Sequence, residues 1–375
     1  MLTIAHNAVA ASNRARSEAL RCAGADVTLL TPSWWFEEGR HIAASPAATE
    51  SWWRVGRTVF SGNGTRHMYL GGLIEAIRVA RPDVIDLYEE PFSLVALQTV
   101  LLRERLAPDA ALVFYSAVNV ERTWRWPYSA VERLVLRRAD AAHAPNSAVP
   151  RILAARGFTP PDKSTAVIPL GVDAQRFASA EPLPLSDIGR PRVGFIGRFE
   201  SVKGLDVLIE AFQHVKPIAE LVLIGDGSLG AALRGHRAHV LPPVAFEQVP
   251  SLLKALDVLV LPSVTILPLH REQFGRVLVE AMAAGVPVIG SSSGAIPEVI
   301  GDAGLVVPER DPLALANAIV TVLGEPELRQ RLIERGRARA ATRFAWSTIA
   351  QQTLALFDAA IARRRRAASL EAVQA

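Results

Sequence analysis

Short apolar runs alternate with helical-period segments along nearly the whole chain, a pattern suited to parallel sheets built from βαβ units. In the first half, Leu2–Ala5, Val27–Leu30, Val84–Tyr88, Leu112–Ser116, Ala141–Ala144 and Val167–Pro169 read as strands, with helices such as Ala130–Arg138 between them. A second series follows, with strands Val193–Ile196, Leu221–Ile224, Val258–Leu261 and Val286–Ile289. Its helices are Leu205–Val215, Ala231–Arg234, Val277–Ala284 and a long one from Pro312. Between the two series, Ala178–Pro191 gathers Pro182, Pro184 and Pro191 with Ser, Asp and Gly and has neither period, as a linker would. The expectation is an α/β chain of two doubly wound domains, and its length of 375 residues agrees, since domains cluster near ~100–150 residues. Ligands of open α/β sheets sit beyond the carboxyl ends of the strands, so two such domains imply an interdomain cleft.

Composition narrows the function classes. The apolar fraction of 50% with 21% charged residues describes a chain able to bury large cores. One cysteine, Cys22, makes neither an internal disulfide nor a zinc cluster, so a reducing, cytoplasmic setting is expected. The start Met1-Leu-Thr-Ile-Ala-His6 lacks a leader pattern, and no stretch reaches the ~18 apolar residues of a membrane span. Both charge signs are mixed along the chain, so the net +4 does not call for nucleic acid. The dense run Arg363–Arg366 and the tryptophans at 34, 35, 52, 53, 124 and 126 are candidates for peripheral contact with an anionic membrane surface. A solvated basic tail, and tryptophans packed inside, are the alternatives; at least one exposed tryptophan pair is expected.

Three motifs carry chemistry. Gly194-Phe-Ile-Gly-Arg-Phe-Glu-Ser-Val-Lys-Gly204 runs strand, turn, helix, and sets Arg198 and Lys203 beside a helix N-terminus, where phosphate oxygens are favoured. Leu223-Ile-Gly-Asp-Gly-Ser228 follows the next strand, and its glycines admit a ligand or a neighbouring backbone at close range. The strongest is Glu272-Gln-Phe-Gly-Arg-Val-Leu-Val-Glu280, continued by Ala281-Met-Ala-Ala-Gly-Val-Pro-Val-Ile289. Gly275 falls at a loop-to-helix transition, so Glu272 sits on the loop and Glu280 on the helix, two carboxylates facing one ligand at different depths. Neither half carries G-x-G-x-x-G after its first strand, so a nicotinamide fingerprint is missing.

On these residues the chain resembles the family-four (group 1) retaining glycosyltransferases of the GT-B fold. The likeness rests on Gly197-Arg198…Lys203-Gly204, Gly225-Asp-Gly227 and the E-x7-E element with its Glu-Ala-Met-Ala-x-Gly-x-Pro continuation. Ala139-Asp140, Ile168-Pro-Leu-Gly-Val-Asp173 and Phe344-Ala-Trp346 add to it. The resemblance implies two Rossmann-like domains facing a central cleft. Residues 1–173 would hold the acceptor, 174–191 would be the linker, 192–346 would hold the nucleotide-sugar donor, and the terminal helix 347–375 would return to the first domain. It implies that Arg198 and Lys203 hold the donor diphosphate beside Gly197, Gly225 and Gly227, and that Glu280 binds the ribose. Glu272, with the backbone of Phe274 and Gly275, would bind the transferred sugar, Val244 would lie near the base, and Arg276 joins this donor set without a role of its own. Catalysis would then fall to Arg198, Lys203 and Glu272, with the nucleotide-diphosphate sugar as co-substrate, a carbohydrate or lipid-linked acceptor, and no cofactor or metal. A nucleotide-sugar epimerase, a phosphorylase or a non-catalytic sugar-nucleotide-binding module are the alternatives.

The first domain departs from the family pattern. The loop His6-Asn-Ala-Val-Ala-Ala-Ser-Asn13-Arg14 lacks the usual glycines, leaving Asn13 or Arg14 as substitutes, and Ser116-Ala-Val-Asn119 stands where relatives place a histidine. Asn119 is the candidate there, against a plain turn asparagine. His143 reads as a core histidine, and His270 lies on the Glu272 loop without a motif match. Glu89-Glu-Pro-Phe92 reads as the capped start of a helix, with an acceptor-binding role for Glu89 or Glu90 as the other reading.

Overall fold

The computed structural model describes the chain apart from residues 38–39, 160–163, 216–217, 235, 237 and 375, and apart from the side chains of residues 37, 40 and 370–374. It divides into two compact units, Met1–Pro169 with Trp346–Ala375, and Leu170–Ala345.

The first unit contains β1 (Leu2–Ile4), β2 (Thr28–Pro32), the paired β3 (Trp34–Glu37) and β4 (Arg40–Ala43), and β5 (Trp53–Gly56). A second short pair follows, β6 (Thr58–Val59) and β7 (Met68–Tyr69), then β8 (Val84–Leu87), β9 (Ala111–Tyr115), β10 (Ala141–Ala144) and β11 (Ser164–Val167). Seven of these form one parallel sheet in the order β11-β10-β9-β8-β1-β2-β5. β8, β9 and β10 are apolar almost throughout because both faces of an all-parallel sheet are covered. One cover is the terminal helix Trp346–Gln374, which lays Ile349, Leu356, Phe357 and Ala360 on Val84, Ala111, Val113 and Ala141. β11 starts three residues before the expected Val167, at a polar Ser-Thr pair: it is an edge strand, where partial exposure suits hydroxyls and the N–H-less Pro169 has no place in the ladder.

A charged residue stands inside this core. Asp86, fully buried in β8, accepts from Arg16 Nη1 at 2.6 Å and Thr3 Oγ1 at 3.1 Å, with His143 Nε2 3.4 Å away. Burial alone would raise its carboxyl, but the Arg16 guanidinium and His143 bring it down to about 2. Burial holds the His143 imidazole below its usual range.

The second unit is a six-stranded parallel sheet, β12 (Arg192–Ile196), β13 (Glu220–Ile224), β14 (His239–Leu241), β15 (Val258–Leu261), β16 (Val288–Ser291) and β17 (Gly304–Val307), in the order β14-β13-β12-β15-β16-β17. The stretch expected as a free linker, 174–191, is instead folded onto this unit. Asp173 caps a helix at Ala174–Ser179, Leu183 and Leu185 pack against the core, and buried Arg192 donates to the carbonyls of Leu185 and Ile188. A guanidinium can gather several carbonyls of an irregular segment, so proline content here marks the absence of regular structure and not the absence of packing. The single helix expected from Pro312 is two, Pro312–Gly324 and Pro326–Arg343, broken before Pro326, whose ring cannot continue a helix.

Candidate active site

The second unit gathers most of the motif residues at the carboxyl ends of its central strands. β12 ends into Gly197-Arg198-Phe199 and β13 into Gly225-Asp226-Gly227, and the two loops are laced backbone to backbone: Gly197 N–H donates to Ile224 O at 3.0 Å and Phe199 N–H to Asp226 O at 2.8 Å. Gly225 has a positive φ of 150°, and a Cβ there would run into the Gly197 carbonyl. A neighbouring backbone does approach these glycines closely, so Gly225 and Gly227 shape the loop that carries Arg198. Arg198 is exposed, and Val244 lies half-buried in the loop after β14.

Lys203 ends a short 3-10 turn, Ser201–Lys203, and Gly204 follows in the left-handed region at φ 66°, where a Cβ would strike the Pro262 carbonyl. This tight junction puts the Lys203 ammonium 2.7 Å from Glu272 Oε2, which also accepts from Ser263 Oγ at 2.7 Å. Burial raises the Glu272 carboxyl, but Lys203 and then Ser263 outweigh it and hold the group below the ordinary carboxylate range. His270 belongs to the same neighbourhood. Burial lowers its pKa, and the charges of Lys203 and Arg198 add to that against the pull of Glu272.

Glu272 itself is fixed from behind: its carbonyl accepts Ala295 N–H at 3.0 Å, and Gly294 leaves no room for a Cβ against that carbonyl. Gly275, at φ 80°, sets off the helix Arg276–Ala284, with Phe274 packed edge-on against Phe344. Arg276 opens that helix. Glu280 sits on it with 8% exposure, a depth at which a carboxylate keeps its charge only with partners. One cation and one anion expected to contact different parts of a donor thus form a direct ion pair, a contact the spacing of residues 203 and 272 did not announce.

In the first unit Asn13 and Arg14 fall inside the helix Ala11–Cys22, where Asn13 Nδ2 donates to Asn7 O at 2.9 Å and Arg14 donates to Val9 O at 2.7 Å and lies over the Trp53 ring. Asn119 is buried. Glu89 and Glu90 do not cap a helix: the next one begins at Leu94 and is capped by Ser93. Glu90 binds Ser116 Oγ at 2.7 Å and Ala117 N–H at 2.8 Å, and burial lifts its carboxyl to about 7 against those bonds. Glu89 meets His6 and His67, three residues no single motif links.

Of the tryptophans, Trp35 and Trp53 are buried, Trp34 stacks on His41 and Trp124 on Phe92, so no adjacent pair is exposed; Trp126 alone stands out at 81%. The basic run is partly spent within the first unit, Arg363 on Asp140 O, Arg364 on Pro108 O and Arg365 on Asp83. Among the described residues no helix is long and apolar enough to cross a membrane.

Two Rossmann-like units, one bearing a Lys–Glu pair at its strand ends, are the GT-B architecture, and solved structures share it. Sucrose-phosphate synthase of Thermosynechococcus elongatus superposes with a TM-score of 0.70 at 23% identity over 96% of this chain and 98% of its own. Anabaena HepE in complex with UDP-glucose gives 0.68 at 19% identity over 96% and 99%. Residues 190–325 match the model for glycosyl transferases group 1. A D-inositol 3-phosphate glycosyltransferase of Xylanimonas cellulosilytica is 34% identical over 55% of this chain and 49% of its own length. A phosphatidyl-myo-inositol mannosyltransferase of Mycobacterium tuberculosis is 36% identical over 51% and 53%. The chain spans about half the length of these relatives.

Proposed function

We propose that the chain is a retaining glycosyltransferase that moves a sugar from a nucleotide-diphosphate donor to a carbohydrate or lipid-linked acceptor. The observation that carries this is the Lys203–Glu272–Ser263 cluster at the strand ends, a cation and a buried ionised carboxylate held within hydrogen-bond distance. As the donor's anomeric bond breaks, negative charge grows on the departing diphosphate, and fixed cations aimed at it are worth several kcal/mol. Lys203 and the exposed Arg198 are assigned that role, without recourse to a metal. Glu272, held ionised, is an acceptor for paired sugar hydroxyls, while Glu280 on the next helix is assigned the ribose, and the Phe274–Gly275 backbone and Val244 the rest of the donor. The names of the relatives, an inositol phosphate and a phosphatidylinositol transferase, support a hydroxyl-rich acceptor that is free or lipid-linked. A panel of nucleotide sugars tested for thermal stabilisation and slow hydrolysis decides the matter. One donor should stabilise the chain and lose that effect in both Lys203→Ala and Glu280→Ala; equal stabilisation of both variants would sink the assignment.

A further inference from the structure

His6, His67 and Glu89 come together in the first unit from three separate places. His6 follows β1 and Glu89 follows β8, neighbouring parallel strands, so both leave the carboxyl edge of the sheet where α/β proteins bind ligands. His67 arrives from the segment before β7, and that segment is firmly held. Asn63 Oδ1 accepts the N–H groups of Thr65 and Arg66, Leu94 N–H donates to Thr65 O at 2.9 Å, and Gln98 bonds Tyr69 through both its N–H and its carbonyl. Trp35 packs on both histidines, its ring centroid 4.3 Å from His6 and 4.9 Å from His67.

The donor atoms of the three side chains all lie within 4.8 Å of one another. His6 Nδ1 is 2.6 Å from Glu89 Oε2, and His67 Nε2 is 3.6 Å from Glu89 Oε1. The second distance is too long for a hydrogen bond. His67 is completely buried, and its Nε2 is without a hydrogen-bond partner although it points at the carboxylate. Its other nitrogen, Nδ1, lies 3.3 Å from the Asn63 carbonyl oxygen. The ring therefore has an acceptor at each nitrogen, and a neutral imidazole has one N–H to give. If Nδ1–H goes to Asn63, the Nε2 lone pair faces a carboxylate oxygen, and a second proton on the ring or a metal cation between the two relieves the pairing.

We infer that His6, His67 and Glu89 form a binding site for a divalent transition-metal ion, with Zn2+ the fitting ion. Two imidazoles and one carboxylate are a donor set this ion favours, with bonds of about 2.0–2.2 Å, which places neighbouring donors roughly 3.3 Å apart in a tetrahedron. The observed 2.6 and 3.6 Å straddle that spacing, so each donor needs to move by less than about 1 Å. Loading takes the proton off His6 Nδ1: a neutral ring keeps it as the Nε2–H tautomer, and a protonated ring releases it to solvent. The Asn63 carbonyl then plays the outer role usual for a metal-bound histidine, fixing the tautomer by accepting Nδ1–H. Because the His6 side chain is a quarter exposed while the other two are closed in, the fourth coordination position opens on its side, to water or to a hydroxyl or carboxylate of a ligand.

The test is metal content, which does not depend on glycosyl transfer. The full chain carrying Cys22→Ser, to remove the exposed thiol, is stripped with chelator, equilibrated with Zn2+ and passed over a desalting column. One zinc ion per chain is expected, and a Zn2+-dependent rise in Tm. His67→Gln and Glu89→Gln should each weaken binding by about 100-fold or more, as loss of a ligand exceeds the 10–100-fold typical of an outer-shell change. Should those buried substitutions prevent folding, the partly exposed His6→Asn decides by itself: it should fold, and lose the zinc and the Tm rise together. Absence of bound zinc in the parent chain, or retention of it in folded His6→Asn, would overturn the inference and leave a hydrogen-bonded His–Glu–His cluster.

Discussion

The two units each hold a buried carboxylate beside a basic group at the end of a parallel sheet, yet the residues of one lie in motifs readable in the chain and those of the other do not. In the second unit Glu272 and Glu280 are eight residues apart on one loop and helix, and Lys203 is tied to Gly204 by a turn that only glycine completes. In the first unit Glu89 meets His6 and His67 across sequence gaps of tens of residues, and Asp86 meets Arg16 and His143 likewise. Local geometry leaves a motif, whereas geometry made by strand order leaves only isolated residues. The carboxylates of the two units also serve different ends: Asp86, within β8, is deep in the core and counts for stability, while the second unit's Glu272 lies beside the cation proposed for the chemistry.

The contrast can be broken most sharply at Asp86. Asp86→Ala strands the Arg16 guanidinium in the core, and about 3–5 kcal/mol of unfolding free energy should vanish in denaturant titration. A loss under 1 kcal/mol would show that water reaches this pair. Lys203→Ala should act on rate instead, lowering kcat by about 100–1000-fold with a much smaller change in Tm, since it removes a charge meant for the leaving group. If stability fell as far as rate, Lys203 would be a structural partner of Glu272 and no more.

Acid should separate the units next. Asp86 sits at about 2 in the folded chain against an ordinary 3.8, so its contribution is complete above about pH 4 and is lost as pH falls toward 2. That difference is worth roughly 2 kcal/mol. His143, lowered from its ordinary 6.5, adds an earlier loss, because below that pH the unfolded chain takes up a proton that the folded one refuses. Glu90, lifted to about 7, gains a proton in the folded chain over the same range and works the other way, so the His143 loss is read as a difference: the Tm of the parent should drop relative to that of His143→Gln as pH falls below about 6.5. A smaller effect is expected at Ser263→Ala, which deprives Glu272 of one donor and should cost about tenfold in activity. Arg365→Ala breaks an exposed pair with Asp83 and should change stability by less than about 1 kcal/mol.

Most of the architecture was legible because parallel strands buried on both faces must be written as short continuous apolar runs, and the helices between them keep a 3.6-residue period. The strands that escaped notice were those with less of that burden: β5, β14 and β17 and most of β11, all at sheet edges, and the short pairs β3–β4 and β6–β7 outside the main sheets. The expected linker was misread for a related reason. Its prolines do forbid regular structure, but Arg192, a residue the pattern assigns to the next strand, binds its carbonyls and packs it down.

By itself, then, the sequence determined the α/β class, the two strand series and the local motifs that carry Arg198, Lys203, Glu272 and Glu280, the residues proposed for the donor, because each of these depends on neighbours within a turn or two. Tertiary structure alone decided that Lys203 and Glu272 are ion partners, that Gly225 and Gly227 yield to backbone, and that Glu89 belongs with His6 and His67 instead of a helix cap. The physical reason is the same in every case. Hydrogen bonds and ion pairs between distant segments are set by which strands lie side by side, and strand order is not a property any stretch of residues carries in its own pattern.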